Sequence, residues 1–255
     1  MAIAYDNSNG IQSSSVTSAT TSSWTIASGS NTCLFGFSVT ADASPTTHSG
    51  MEWQGSGGTA LTQIGSTYSA GAVIRMSAWR LLAPTATTNT LYGNWAASQT
   101  IGSVGGASYS GVNQSSPTGT LTTNTGTVSN NFGFNATVDV TTTAGDIVIA
   151  CVFIFDNNGS TPILTANNGT LRWKNEASIN SMGIQEVTAV GATTTVSCAI
   201  APTSSNISGD WGMIAFVINA ASGVSGTVAY TNANDTLSAN GAVVSFTPLM
   251  GQACL

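Results

Sequence analysis

Met76-Ser-Ala-Trp-Arg-Leu-Leu-Ala-Pro-Thr-Ala-Thr-Thr88 recurs downstream as Met182-Gly-Ile-Gln-Glu-Val-Thr-Ala-Val-Gly-Ala-Thr-Thr194, with the Met, both turn alanines and the two closing threonines in the same places. Two further blocks keep their order around it. Asn31-Thr-Cys-Leu-Phe-Gly-Phe-Ser38 matches Asp146-Ile-Val-Ile-Ala-Cys-Val-Phe153 upstream, and Val104-Gly-Gly-Ala-Ser-Tyr-Ser110 matches Gly212-Met-Ile-Ala-Phe-Val-Ile218 downstream. Thr-rich strands look alike by composition, but composition does not keep three blocks in one order. That is the mark of an internal repeat. One copy spans residues 20–113 and the other residues 135–221.

Arg75-Met-Ser-Ala-Trp-Arg-Leu-Leu82 alternates polar and apolar residues, as a half-buried strand does. Elsewhere Thr, Val, Ile and aromatic residues fill short apolar runs separated by Gly, Asn, Ser and Thr clusters, and helix signals are nearly absent. The pattern predicts an all-β fold: an antiparallel, jelly-roll-like β-sandwich built from two repeated halves plus a C-terminal hairpin or arm. The expected organisation is an N-terminal arm (1–19), a first sandwich repeat (20–113), a Ser/Thr/Gly-rich linker (114–134), a second repeat (135–221) and the C-terminal element (222–255). Within that last element Gly226–Gly241 reads as strand, turn and strand.

Composition removes several function classes. Of 255 residues only 5% are charged, against about 25% in an ordinary soluble domain. Arg75, Arg80, Arg172 and Lys174 are the only Lys or Arg, and the net charge is −6. Nucleic-acid binding needs clustered cations to neutralise phosphates, and a polybasic membrane-surface anchor needs them too, so neither partner is expected. The densest apolar stretch, Ile147–Phe155, is nine residues, about half of what a spanning helix requires. Ser plus Thr make up roughly 28% of the chain, well above average usage. Small neutral groups therefore fill most polar positions. The opening residues have no basic and apolar signal-peptide pattern. Cys33, Cys151 and Cys198 lie in apolar strand-like runs and read as reduced, buried thiols, while Cys254 near the C-terminus reads as exposed.

Residues that could carry chemistry are few. His48 and Glu52 could form an acid–base pair with Ser49 beside them, but the bland reading, a solvated turn, is favoured. Asp156-Asn-Asn-Gly159 has the glycine of a calcium loop without its ligand spacing, and reads first as a turn. One histidine and unclustered cysteines do not make a zinc site. Trp24, Trp53, Trp79, Trp95, Trp173 and Trp211 could stack on sugars if exposed, but strand aromatics usually fill cores. No catalytic, metal or cofactor-binding residue is expected, and no cofactor.

Ala2-Ile-Ala-Tyr-Asp-Asn-Ser8, Gly57-Gly-Thr-Ala-Leu-Thr-Gln-Ile-Gly65, Ala78-Trp-Arg-Leu-Leu-Ala-Pro-Thr85 and Ala107-Ser-Tyr-Ser-Gly-Val-Asn-Gln-Ser-Ser-Pro117 together resemble β-sandwich structural proteins of bacteriophages and prophages. Gly226–Gly241 resembles a short repeat of phage fibre-like proteins. The resemblance covers most of the chain. The likeness extends to some bacterial surface proteins, and the group implies virion structure or surface attachment; the expectation taken from it is a virion structural protein, as a head decoration or a tail or fibre component, with other virion proteins and copies of itself as partners. It supplies no catalytic motif. A surface of Ser, Thr and Asn fits that role, because short neutral side chains lose little entropy and little solvation when covered. The expectation is a non-enzymatic particle protein. The alternatives are a carbohydrate-binding or adhesion module recognising host-surface glycans, and a subunit of an extracellular filament.

Overall fold

The computed structural model describes residues 2–204 and 206–221. The C-terminal element (222–255) and Cys254 lie outside the described residues. No helix forms among them, and the expected all-β, sandwich-like antiparallel fold is what the chain adopts. The strands of the first part are β1 (Ala4–Thr20), β2 (Trp24–Thr25), β3 (Cys33–Ala41), β4 (His48–Trp53), β5 (Thr59–Ala60), β6 (Thr62–Ala70), β7 (Ile74–Leu82), β8 (Thr88–Asn89) and β9 (Leu91–Ser110). Those of the second part are β10 (Thr122–Asn131), β11 (Phe134–Thr141), β12 (Ile147–Asp156), β13 (Pro162–Ala166), β14 (Thr170–Ala177), β15 (Asn180–Thr188), β16 (Thr193–Pro202) and β17 (Ile207–Ile218).

The large sheets have corresponding strand orders. The second part runs β10-β17-β12-β15-β14, and the first contains β1-β9-β3-β7-β6. The second part adds a separate small sheet, β11-β16-β13. In the first part β9 serves both layers. Ile101–Tyr109 pairs with β3, Leu91–Trp95 pairs with β4, and β1 follows the other edge from Ala4↔Ser110 to Thr20↔Tyr92. A register shift between Val16 and Ser18, next to Ser15 at φ 54°, lets β1 turn with it.

Alternation along the central strands explains their continuous apolar sequence. On β3, Cys33, Phe35, Phe37 and Val39 enter one core, while Leu34 faces another. On β12, Ile149, Cys151 and Phe153 enter that same first core, while Val148, Ala150, Val152 and Ile154 face a third. The two large sheets thus pack face to face across a shared core and each also covers its own sandwich interior. A strand buried on both faces cannot show polar alternation.

Two expectations change. The N-terminal segment read as an arm is mostly β1, and the stretch read as a linker contains β10. Both are edge strands of polar, Gly-containing sequence with little apolar periodicity. Their asparagines link them to neighbouring segments of the chain. Ser8 N donates to Asn7 Oδ1 (2.9 Å) and Gly10 N to Asn9 Oδ1 (2.8 Å), while Asn7 Nδ2 donates to Thr25 O (3.0 Å) and Asn9 Nδ2 to Ser22 O (2.9 Å). On β10, Thr125 N donates to Asn124 Oδ1 (2.9 Å) and Asn124 Nδ2 to Thr137 O (2.7 Å).

Candidate functional site

His48 is buried inside the first sandwich, not in a solvated turn. Its Nδ1 lies 2.7 Å from Ser38 Oγ and 2.9 Å from Ser77 Oγ, and its Nε2 lies 3.2 Å from Thr40 Oγ1. Trp79 Nε1 donates to Ser38 Oγ (3.0 Å). Three hydroxyls, each able to donate or accept, thus surround the two ring nitrogens, and a neutral imidazole is satisfied among them in either tautomer. Burial, assisted by the positive charge of Arg75, lowers the His48 pKa to about 3. The ring is therefore neutral at ordinary pH.

The neighbours weighed for an acid–base role, Ser49 and Glu52, are elsewhere. A register shift separates His48 from Gly50, leaving Ser49 exposed, and Glu52 Oε2 accepts from Gly57 N (2.6 Å). Neither hydrogen-bonds to His48. The polar partners it does have, Ser38, Thr40 and Ser77, are buried hydroxyl residues of β3 and β7 that sequence reading did not single out.

Asp156 is also buried, and it organises a turn. Its Oδ2 accepts from Ser160 N and its Oδ1 from Ser208 N, each at 2.8 Å. Among the described residues no group of three His, Cys, Asp or Glu is placed to hold a metal ion. Cys33, Cys151 and Cys198 are free and buried. Burial raises the Cys33 thiol to about 12, against the charge of Arg80, raises Cys198 to about 11 and pushes Cys151 far up. Thiolate chemistry is suppressed at all three. Trp24, Trp53, Trp79, Trp95 and Trp211 are buried, while Trp173 is half-buried over the β1–β9 backbone.

One ion pair stands between the two halves. Arg172 Nη2 and Nε meet Glu186 at 2.6 and 3.1 Å, and the guanidinium lies 4.0 Å from the centroid of the Tyr5 ring. Ser8 Oγ donates to Arg172 O (2.7 Å). This ties β1 to β14. Burial first, then the nearby Glu186 carboxylate, raises the Tyr109 phenol pKa beside it.

The outer face of β11-β16-β13 is lined mainly by short neutral side chains. Cross-strand pairs there are Asn135↔Ala199, Thr137↔Ser197, Asp139↔Thr195 and Thr141↔Thr193, with Thr165 opposite Ala199 on the other side. Thr195 Oγ1 donates to Asp139 Oδ1 (2.5 Å), so the single carboxylate of these pairs is held in a local hydrogen bond. Asn167 Nδ2 reaches Asn135 Oδ1 (2.9 Å) and Ser197 Oγ (2.8 Å). The inward residues Ala136, Val138, Val140, Val196, Cys198 and Ile200 fix this face by alternation. Comparison of the chain with models of known protein families gives no match, and comparison with curated protein sequences gives none.

Proposed function

We propose that the chain is a non-enzymatic structural protein of a bacteriophage particle, a head decoration or a tail or fibre component, that works by being covered. The observation that carries the reading is the outer face of β11-β16-β13: pairs of Thr, Ser, Asn and Ala, with the Asp139 carboxylate already hydrogen-bonded. Covering such a face immobilises short side chains and strips little charge of water, so copies of the chain or neighbouring particle proteins can pack on it at low cost. The phage assignment itself rests on the sequence resemblance. Its place would be the assembled virion.

Sugar recognition through stacked tryptophan draws little support, because five of the six indoles are buried in cores. The test is a mass-spectrometric inventory of purified particles from the native source, followed by electron microscopy with an antibody against the chain. The expected result is the chain present at a fixed ratio to the major particle protein and seen at symmetric positions. Particles that lack it, or a purified chain that binds a glycan array and loses binding on Trp173→Ala, would replace this reading with another.

A further inference from the structure

We infer that Asn158 is a built-in deamidation site, the residue at which the described part of the folded chain ages by spontaneous conversion to aspartate and isoaspartate. The reaction runs fastest where the residue after the asparagine has no side chain to obstruct it, and it needs freedom for the following backbone nitrogen to reach the carboxamide carbon. Asn–Gly occurs at Asn9–Gly10, Asn158–Gly159, Asn168–Gly169 and Asn240–Gly241, the last outside the described residues. The fold treats the other three differently.

Asn9 is fixed in β1. Its Oδ1 accepts from Gly10 N (2.8 Å), its Nδ2 donates to Ser22 O and Ser22 Oγ (both 2.9 Å), and the Trp173 ring covers Gly10 so closely that a Cβ there would lie 2.5 Å from it. Asn168 is fixed as well. Its Oδ1 accepts from Ser197 N (3.0 Å) and Gln185 Nε2 (3.2 Å), its Nδ2 donates to Thr195 O (2.6 Å), and Gly169 packs on the Glu186 carbonyl. Moving either carboxamide breaks several bonds.

Asn158 is exposed, in the turn between β12 and β13, and its carboxamide makes one hydrogen bond, from Nδ2 to Asn206 O (3.0 Å). Gly159, at φ +76°, has open space where a Cβ would stand. In the reaction the Gly159 nitrogen bonds to Asn158 Cγ and the Cγ–Nδ2 bond breaks. The displaced amide nitrogen takes up the Gly159 proton and leaves as ammonia. Water then opens the succinimide at either carbonyl, so no oxidant or cofactor is involved. The product carboxylate faces the Asn206 carbonyl it formerly donated to, so the turn loses that bond and gains a negative charge.

The experiment incubates the whole native chain in mildly alkaline buffer, beside a sample unfolded in urea, and maps chymotryptic peptides by mass spectrometry. Isoaspartate is scored by retention time and by a methyltransferase assay. In the folded chain Asn158 is expected to convert faster than Asn9 and Asn168 by about tenfold or more, since a tenfold ratio needs only a small barrier difference and each of those carboxamides is held by several bonds. In urea the three should react at comparable rates. Equal rates at the three positions in the folded chain, or an Asn158 that stays intact while the unfolded sample converts, would overturn the inference.

Discussion

His48 Nδ1 stands 2.7 Å from Ser38 Oγ, with the imidazole edge-on to Trp95 at 6.5 Å between ring centroids. A neutral ring satisfies this site and a protonated one does not, because burial and Arg75 oppose the charge. The pKa falls from 6.5 in an unfolded chain to about 3 in the fold. Between those values the unfolded chain binds the proton and the folded one does not, so stability is lost as pH falls through that window. At 1.36 kcal/mol per pKa unit the full loss is on the order of 5 kcal/mol. Urea unfolding across the acidic range should show this decline, and His48→Gln should flatten it. A variant with the wild-type slope would rule out His48 as its source.

The two large sheets bury one core together, with Phe37 of β3 stacked on Phe216 of β17 at 6.0 Å. The chain up to residue 221 should therefore unfold in one cooperative step. Phe153→Ala, also in this core, should cost about 3–5 kcal/mol and lower the whole transition. Calorimetry and denaturant curves read by tryptophan fluorescence would check this. Two separate transitions would mean that the halves are energetically independent.

Gly10 lies under the Trp173 ring. Gly10→Ala forces the ring away from β1 and should destabilise the fold by about 1–3 kcal/mol. The loss should shrink when Trp173 is also replaced by Leu, which is a double-mutant test of the contact. An equal loss in both backgrounds would place the cost in the backbone instead.

Asn124 bridges edge strand β10 to β11. Asn124→Ala frees the Thr125 amide on an uncharged edge, and open uncharged edges pair with other chains. Stability should change by less than about 1 kcal/mol, while light scattering at high concentration should rise. Scattering identical to wild type would remove this asparagine from edge protection.

Much of the fold was legible, because the strands buried on both faces are the strongest apolar runs. The match of Met76 with Met182 places β7 and β15 in equivalent positions, as their strand bounds show. The other two matches find the right strands but sit one residue out of register. Cys33 was set against Val148, for example, yet Cys33 enters the shared core and Val148 the second sandwich. A strand with apolar residues on both sides carries no parity signal to correct such a slip. β1 and β10 escaped because Asn7, Asn9, Gly10 and Asn124 are chosen for backbone bonding and for close approach. The His48 environment was hidden for another reason: its partners come from β3 and β7, far away in sequence, and only the pairing of strands brings them together.

The long lane that β1 shares with β9 sets a timetable for synthesis. Ala4 pairs with Ser110 and Thr20 with Tyr92, so β1 leaves the ribosome long before its neighbour β9. Pairing over such separations closes large loops before any contact rewards them, which makes assembly slow. Until then a polar, serine-rich ribbon is exposed. Its polarity, unhelpful to anyone reading for strands, keeps the nascent chain from sticking to others while it waits.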